Sequence, residues 1–308
     1  MQHPSAILCA GIAVQDLVFR VETLPAPGIK AQALDFIAIS GGCAANAAIA
    51  IARLGGRVRF AGPLGGAGDA MSDRIVADLT REGVDASGVV RVAGTTSPIS
   101  GIMIDAAGER TIATHRDQRL ASARPTDPIA LLDDVAIVLA DNRFPEFVHS
   151  IGAAARTRGL PVVLDADKPT TEDDPLFALA SHVIFSAECL RATTGISDLG
   201  AALARMRAHA SAFLAVTDDS NDVRWMPGDA LQRLPVIAIE AVDTLAAGDV
   251  FHGAFALALA QACSESEALR FAAAAATLKC SRFGGITGAP RRTEVERFLA
   301  DHAAGTRL

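Results

Sequence analysis

Residues 243–249 read Asp-Thr-Leu-Ala-Ala-Gly-Asp and come directly before an apolar stretch over 250–261 that predicts a helix. Small residues at such a junction let backbone N–H groups approach an anion, and the helix N-terminus adds about half a positive charge there. An acidic residue such as Asp249 would repel a phosphate, so simple anion binding does not explain it. Its presence is explained if Asp249 is a base that takes a proton from a hydroxyl attacking a phosphoryl group. The alternative is that Asp249 only caps the helix.

A second segment with binding chemistry is 41–46, which reads Gly-Gly-Cys-Ala-Ala-Asn and opens an alanine-rich stretch. Paired glycines let a ligand approach the backbone closely. Asn46 offers both a donor and an acceptor to a hydroxyl group. Because junctions of this kind are common in α/β proteins, the segment indicates a site only together with residues 243–249.

The elements that must position these two segments alternate along the chain. Short β-branched apolar runs predict strands and helical stretches lie between them, which is typical of an α/β fold with a mostly parallel central sheet flanked by helices. The predicted strands are 7–14, 58–64, 135–140, 161–165, 182–186 and 213–217. The predicted helices are 43–54, 71–82, 147–158, 199–209, 250–261, 265–282 and 294–301. Gly55, Gly83 and Gly159 are expected to end three helices in a left-handed conformation, and Thr293 with Glu296 predicts a capping box.

Two segments, 14–40 and 88–117, interrupt this alternation, because they hold strand-like patterns and turn signals without a helical pattern. We expect parts of both to form a small β-sheet lid, and we expect residues 1–308 to make a single domain that carries it. Ordinary excursions at the edge of the main sheet are the alternative. Exposed lid strands seek cover, so we expect two lids to pair in a homodimer.

The composition excludes several classes of protein. Half of the 308 residues are hydrophobic, which is enough for a large core, and the net charge of −7 argues against a protein that coats nucleic acid or an anionic membrane. A small anionic ligand is still compatible, because one pocket can be basic on an acidic protein. The five cysteines form no C-x-x-C pair, and the sequence has neither a signal-peptide pattern nor an apolar run of about 18 residues. We therefore expect a cytoplasmic protein with reduced thiols and no membrane partner.

Motifs of other enzyme classes are missing. The sequence has no G-x-x-x-x-G-K-[ST] loop, no G-x-G-x-x-G after the first predicted strand, no G-x-S-x-G and no H-E-x-x-H. These absences argue against a P-loop NTPase, a dinucleotide-binding domain, a serine hydrolase of the elbow type and a zinc protease.

Taken in order, Gly-Gly-x-x-x-Asn near residue 41, Gly-Asp at 68–69 and Asp-Thr-x-x-Ala-Gly-Asp near residue 245 resemble the ribokinase-like, or PfkB, family of carbohydrate kinases. The resemblance covers essentially the whole chain. It implies a ribokinase-like fold and transfer of a phosphoryl group from ATP to a sugar hydroxyl, with Mg²⁺ on the phosphates. The catalytic residues that it implies are the base Asp249 and the anion-hole residues Ala246, Ala247 and Gly248.

The same resemblance implies binding residues for both substrates. For the sugar they are Asp16, Gly42 and Asn46. For the nucleotide they are Ser186, Thr217, Asp219, Gly248 and Gly285, and Glu188 is the implied contact to the metal.

The sequence departs from the family pattern at four places, one of which is Asp165-Ala166-Asp167 where Asp-x-Asn is usual. Ala246 replaces the first glycine of the usual Gly-Ala-Gly-Asp, and a methyl group is tolerable there only if the residue has a negative φ. Asp219 and Asp222 replace both glycines of the usual nucleotide loop, which puts negative charge near the nucleotide. Glu188 lies one position away from the glutamate of the usual Asn-x-x-Glu.

Within the family, the chain resembles the sulfofructose kinases, which phosphorylate the 1-hydroxyl of 6-deoxy-6-sulfofructose. The shared features include Leu-Ala-Asp-x-Arg at 139–143, Leu-Asp-x-Asp at 164–167 and Gly-Asp-Val-Phe-His-Gly at 248–253. Lys30 and Arg143 match positions that would hold the sulfonate, and Thr114 stands where a third polar contact, an asparagine, is expected. A cation pair that includes a forked guanidinium suits a tetrahedral anion.

Several alternatives stay open. Lys30 could be a solvated lid lysine and Arg143 could form a surface ion pair. The acceptor could be a neutral ketose, ribose or a nucleoside. From a different class, the chain could be a sugar-binding pseudokinase with weak nucleotide affinity, which the aspartates of the nucleotide loop would explain.

Overall fold

The computed structural model describes residues 5–305, and their side chains as far as residue 302. The strands of this part of the chain are β1 (Ala6–Ala10), β2 (Val14–Arg20), β3 (Asp35–Gly41), β4 (Val58–Gly65), β5 (Asp85–Val92), β6 (Ile99–Ile104), β7 (Arg110–His115), β8 (Val135–Asp141), β9 (Val162–Ala166), β10 (His182–Ser186), β11 (Phe213–Thr217), β12 (Val223–Met226) and β13 (Gln232–Leu234). Its α-helices are α1 (Cys43–Arg53), α2 (Ala70–Arg81), α3 (Pro145–Thr157), α4 (Pro175–Leu179), α5 (Ala187–Thr194), α6 (Leu199–Met206), α7 (Ala247–Ala260), α8 (Glu265–Cys280) and α9 (Arg292–Gly305).

The main sheet has nine strands in the order β13-β12-β11-β10-β9-β8-β1-β4-β5. All neighbours from β11 to β5 pair in parallel, and β12 and β13 add two antiparallel pairs at one edge. The predicted α/β architecture with a mostly parallel sheet is confirmed. Because the parallel strands all run the same way, their carboxyl ends meet at one edge, where open α/β sheets bind ligands.

Alternate side chains of the strands pack on opposite faces of this sheet. Ile7 and Cys9 of β1 face a core built with α1, α7 and α8, whereas Leu8 and Ala10 face a second core built with α3, α5 and α6. Strands covered on both faces read as continuous apolar runs, which is why the central strands could be predicted from the sequence.

A separate four-stranded sheet, in the order β3-β2-β6-β7, forms the lid. β2 pairs antiparallel with β3 and parallel with β6, and β6 pairs antiparallel with β7. One lid face packs Val18, Ile102 and Ile104 against Leu245 and Phe283 of the main body. The predicted lid is therefore confirmed, except that residues 88–92 belong to β5 at the edge of the main sheet. The prediction that the whole chain is a single domain stays a prediction.

Local predictions were mostly confirmed. Gly55, Gly83 and Gly159 follow α1, α2 and α3 with φ of 86°, 86° and 67°, as expected for left-handed helix ends. The predicted capping box at 293–296 is wrong: α9 begins at Arg292, and the carboxylate of Glu294 accepts a hydrogen bond from the Arg291 N–H at 2.6 Å.

The predicted strand 7–14 is wrong as one element, because the chain turns after β1 and enters the lid as β2. Gly11 allows this turn, since a Cβ there would lie 2.1 Å from Oδ2 of Asp141. The short helices α4 and α5 and the edge strands β12 and β13 were not predicted. None of the helices within residues 5–305 combines the length and the apolarity that a bilayer span requires.

Candidate active site

Asp249 and Asn46 come together where α7 and α1 begin. The Asn46 Nδ2 donates a hydrogen bond of 2.6 Å to Oδ2 of Asp249. The two helices approach closely because Gly253 of α7 lies against Ala47 of α1, where a Cβ would be 2.7 Å from the Ala47 carbonyl oxygen. Asn46 is buried, and its Oδ1 has no protein partner. This amide therefore orients Asp249 with one end and can accept a ligand hydroxyl with the other.

The surroundings of Asp249 suit a base that works near neutral pH. Burial, followed by the charge of Asp165, raises the pKa of Asp249 to about 7, while the hydrogen bond from Asn46 opposes this rise. A carboxylate with a pKa near 7 can take a proton from a hydroxyl and still be ionised in much of the population. The prediction that Asp249 could serve as a base fits this geometry, and an N-cap role does not, because Asp249 lies inside the first turn of α7.

Cys43, Asp165 and Asp249 have ligand atoms within 4.8 Å of one another. Burial and the nearby charge of Asp249 raise the pKa of the Cys43 thiol well above its usual value, which disfavours the thiolate that a metal would need. Mg²⁺ prefers oxygen ligands in an octahedral arrangement, so this trio does not fit magnesium. The charge of Asp165 instead helps to raise the pKa of Asp249.

The loop before α7 has an unexpected conformation. Ala246 has a φ of 65°, so the condition of a negative φ is not met and this alanine adopts the left-handed conformation that favours glycine. Ala247 donates its N–H to the Thr244 carbonyl at 3.2 Å, so it is not free to bind an anion, contrary to its predicted role in the anion hole. Among the described residues, the N–H groups of Gly248 and Asp249 have no acceptor, and a Cβ at Gly248 would meet open space. An anion could therefore bind at Gly248 and Asp249.

Asp16 reaches the site from the lid. It lies on the face of β2 that carries Val18, and the register places Ser100 beside it and Thr114 beyond Ser100. The pKa of Asp16 is raised to about 7, because the effects of burial and of the charge of Asp249 together exceed the opposing effect of a hydrogen bond from Ser100. The hydroxyls of Ser100 and Thr114 lie 3.0 Å apart. The three side chains form a polar row on the lid, in which the hydroxyl of Thr114 contacts that of Ser100.

The two glycines at 41 and 42 are required by close packing. A Cβ at Gly41 would lie 1.9 Å from Oδ2 of Asp16, and Gly42 has a φ of 93° with the Ile12 carbonyl oxygen 2.7 Å from a Cβ position. Any larger residue would displace Asp16 or the start of α1. The predicted role of Gly42 in letting a ligand approach the backbone is thus accompanied by a steric role.

Arg143 follows β8 and lies next to these acidic groups. Its side chain is 34% exposed and forms an ion pair with Asp167, which engages one terminal nitrogen. Its Nε is buried and has no partner. The Arg143 N–H donates to Oδ1 of Asp141 at 2.9 Å, and Oδ2 of Asp141 accepts from the N–H groups of Ile12 at 2.7 Å and Ala44 at 3.1 Å. Asp141 therefore ties together the turn after β1, the start of α1 and the loop that carries Arg143.

Lys30 is not joined to Arg143 in this structure. It lies exposed in the loop between β2 and β3, and it makes no hydrogen bond or ion pair with any residue of 5–305. The two cations that the resemblance assigns to the sulfonate are therefore not in contact among the described residues.

The residues predicted for the nucleotide lie along the ends of β10 and β11. Ser186 caps α5 by accepting a hydrogen bond from the Cys189 N–H at 3.1 Å, and Glu188 is exposed in the first turn of that helix. Thr217 ends β11, and Asp219 follows it, exposed and with a φ of 50°. Gly285 is buried, and its N–H donates to Oδ2 of Asp243 at 2.8 Å, so this N–H is not available to a nucleotide.

Sequence reasoning gave no role to Asp141 and Asp165. Both stand at the carboxyl ends of parallel strands, β8 and β9, and both are buried. An aspartate that directly ends a predicted apolar strand is a usable signal, because such ends face the ligand edge of the sheet.

Comparison with known proteins gives a consistent result. The profile of the pfkB family of carbohydrate kinases matches residues 5–292. The chain is 30% identical over 302 residues to ribokinase of Bacillus subtilis, with 96% of this chain and 99% of the relative covered. The crystal structure of a putative ribokinase from Agrobacterium tumefaciens superposes with a TM-score of 0.93 at 35% identity, covering 98% of this chain and 99% of the other. Arabidopsis thaliana ribokinase, solved with ribose and ATP, superposes with a TM-score of 0.81 at 26% identity, covering 97% and 99% of the two chains.

These matches extend over nearly the full length of the chain, and the similar structures agree with the two-sheet architecture. The chain therefore belongs to the pfkB family of carbohydrate kinases and is a phosphotransferase acting on sugar hydroxyls.

Proposed function

We propose that the protein transfers the γ-phosphoryl group of ATP to a hydroxyl of a sugar that carries an anionic group, with the 1-hydroxyl of 6-deoxy-6-sulfofructose as the acceptor. The observation that carries this choice is Arg143, whose buried Nε has no partner although the side chain borders the sugar site. Asp167 occupies only one terminal nitrogen, so the guanidinium keeps donors for a tetrahedral anion.

The reaction that we propose uses Asp249 as the base. Asn46 holds one carboxylate oxygen of Asp249, and the other oxygen takes the proton of the attacking sugar hydroxyl. The free N–H groups of Gly248 and Asp249 at the start of α7 then stabilise the negative charge of the phosphoryl group as it is transferred. Asp16 binds sugar hydroxyls from the lid side.

ATP and Mg²⁺ are the co-substrate and the metal of this proposal. Ser186, Thr217 and Asp219 stand at the ends of neighbouring parallel strands, where a nucleotide could lie across the edge of the sheet. Glu188 is exposed and would reach Mg²⁺ only through the phosphates or water, as is common for this ion. A similar structure solved with a nucleotide, the fructokinase from Xylella fastidiosa with bound ATP, supports ATP as the co-substrate.

The acceptor can be tested with steady-state kinetics on sulfofructose, fructose and ribose. Arg143→Ala should lower kcat/KM for the anionic ketose by about 10- to 150-fold, because a charge-assisted hydrogen bond is worth about 1.5–3 kcal/mol, and should change the neutral sugars far less. Lys30→Ala should do the same if the lid closes over the anion. Lys168→Ala removes another exposed lysine and is the matched control. Equal losses for fructose and sulfofructose would contradict the anionic acceptor.

Ribose is the second candidate acceptor, and the 30% identity to ribokinase of Bacillus subtilis favours it. A neutral pentose needs only hydroxyl partners, which Asp16, Asn46 and Asp249 supply. A ribose acceptor would, however, leave the unpartnered Nε of Arg143 unexplained. If kcat/KM for ribose exceeds that for sulfofructose, the acceptor is a neutral sugar and the proposal of an anionic acceptor is wrong. Sugar-dependent release of ADP distinguishes both from a pseudokinase, which would bind sugar without turnover.

We also infer that two copies pair through their lids. The lid face opposite Asp16 carries Phe19, Phe36 and Met103 in one row, and Phe36 and Met103 are 49% and 38% exposed. The edge strand β7 is exposed along its whole length. A second lid would cover this apolar surface. Phe36→Lys should shift the protein from dimer to monomer in sedimentation experiments, and a wild-type monomer would contradict the inference.

A further inference from the structure

Lys279, in the last turn of α8, is fully buried, whereas Lys30 and Lys168 are exposed. Its Nζ donates a hydrogen bond of 2.6 Å to the backbone carbonyl of Asp243 and lies 3.2 Å from Oδ2 of the same residue. Burial lowers the pKa of Lys279 and the carboxylate of Asp243 raises it. A buried ammonium costs free energy unless it is well paired, so the presence of a lysine at this position calls for an explanation.

Asp243 connects the ammonium to two loops. Its Oδ1 accepts the Leu245 N–H at 2.8 Å, and its Oδ2 accepts the N–H groups of Gly284 at 3.0 Å and Gly285 at 2.8 Å. The ion pair therefore joins the end of α8, the segment 243–249 and the turn at 284–288. Leu245 directly precedes Ala246, whose left-handed backbone is the strained point of the segment.

A strained backbone persists only where its surroundings over-determine it. The carbonyl oxygen and the carboxylate of Asp243 both contact the ammonium of Lys279. Without this positive charge, the two oxygens would lie close together in the core with no cation to neutralise them. We propose that Lys279 is a positioning residue for phosphoryl transfer, a fixed internal cation that holds the segment 243–249 in the shape that leaves the N–H groups of Gly248 and Asp249 free. The inference rests on the proposed function, because it assumes that these groups receive the transferred phosphoryl group.

A purely structural lysine would affect folding but not the chemistry of the molecules that do fold. A positioning lysine affects kcat more than the sugar KM, because sugar contacts such as Asp16 and Asn46 lie on other elements. A displacement of about 1 Å at a reacting centre can cost about 10²-fold in rate. The two roles therefore differ in what a kinetic measurement would find.

The experiment compares Lys279→Met, which keeps the volume and removes the charge, with Leu269→Ala. Leu269 is fully buried on the same helix, about 15 Å along its axis from Lys279, so its loss destabilises α8 without touching Asp243. We expect both variants to melt at a lower temperature. Only Lys279→Met should lose kcat, by about 10- to 100-fold, with the sugar KM changed by less than about threefold. An unchanged kcat in folded Lys279→Met would overturn the inference.

Chemical rescue gives a second readout. Lys279→Ala should leave a cavity lined by the Asp243 oxygens. Methylammonium can enter this cavity and donate hydrogen bonds to those oxygens, whereas tetramethylammonium has no N–H group to donate. At equal ionic strength, methylammonium should restore kcat of Lys279→Ala several-fold above the tetramethylammonium control, about what a restored local charge allows. No difference between the two salts would count against a cationic role.

The wild type itself supplies a test if the variants fail to fold. Because the cation is part of the chain, kcat in tetramethylammonium chloride should change by less than about twofold when potassium or ammonium chloride replaces it. A large activation would mean that a bound ion organises the loop and would overturn the inference. A wild type that phosphorylates no sugar overturns the proposed function and this inference together, whereas an active wild type with unaffected Lys279 variants overturns the inference alone.

Discussion

The two halves of the site that we propose, one for the sugar and one for the nucleotide, are built differently. On the sugar side Asp16 and Asn46 are buried, Asn46 holds Asp249, and the backbone positions that need glycine, such as Gly42, have it. On the nucleotide side Asp219 is exposed, has a φ of 50° and makes no hydrogen bond or ion pair among the described residues. The proposed sugar side is over-determined by packing, whereas the proposed nucleotide side is open at Asp219.

The contrast explains where this chain can depart from its family without losing the fold. Substitutions at Gly41 or Gly42 would force a Cβ into Asp16 or the Ile12 carbonyl, so they would disrupt the sugar side directly. Ala246 and Asp219, which replace family glycines, both keep a left-handed backbone at a modest cost in free energy.

The largest expected effect is at the base. Asp249→Asn should keep sugar binding and lower kcat by roughly 10²–10⁴, the usual worth of a positioned general base. Stopped-flow or quench-flow measurement of the chemical step checks this. A variant that retains more than about a tenth of the wild-type chemical rate would contradict the assignment.

The same variant carries an internal control for folding. The pKa of Asp249 is raised to about 7 from an unfolded value of about 4, so the unfolded state binds fewer protons between these values. The carboxyl therefore lowers stability progressively as pH rises from about 4 to about 7, and its full cost is present above pH 7. Asp249→Asn should consequently melt at a higher temperature than the wild type at pH 8, and a lower one would point to a damaged fold.

The pH profile is the next test of the sugar half. Since the base must be ionised, kcat/KM should fall about tenfold per pH unit below an apparent pKa near 7. Asp165→Asn removes the like charge that follows burial in raising the pKa of Asp249, so its acid limb should move to lower pH. A profile that does not move in this variant would contradict the electrostatic account.

Most of the fold could be predicted from the sequence because its signals are local. Apolar runs such as 182–186 and 213–217 form strands with the predicted bounds, and the caps at Gly55 and Gly83 follow from single residues. The helix α5 was missed because eight residues with mixed burial give too short a pattern for a 3.6-residue period.

The site could be predicted only where a motif is continuous in sequence. Asp249 and Asn46 lie in such motifs, and their contact across 203 positions agrees with the family resemblance. The bond of Lys279 to Asp243 joins residues 36 positions apart, and the free Nε of Arg143 depends on three-dimensional packing. The left-handed φ of Ala246 is set by the surrounding loop, and no property of an alanine would indicate it.

A smaller effect is expected at the open half. Asp219→Gly should lower the KM for ATP by about three- to tenfold, because it removes a negative charge near the phosphates and a strained backbone. Asp219→Asn separates the two causes, since asparagine also tolerates the left-handed region but carries no charge. If charge dominates, both variants improve equally and the gain shrinks at high salt. An unchanged KM in both would place the nucleotide away from Asp219.

The smallest effect tests strain in the loop itself. Ala246→Gly should raise stability by about 0.5–1 kcal/mol, since relief of a left-handed alanine outweighs the added freedom of glycine in the unfolded chain. Ala262, with a φ of 62° beyond the end of α7, offers a matched substitution outside the site, and Ala262→Gly should give a similar gain in denaturant unfolding. Ala247→Gly, at the first position of the helix, relieves no left-handed residue and should give no such gain. If Ala246→Gly and Ala262→Gly are equally stabilised but only Ala246→Gly changes kcat, the strain at residue 246 shapes the anion site. If both are equally stabilised and neither changes kcat, the loop tolerates the methyl group of Ala246 at no functional cost.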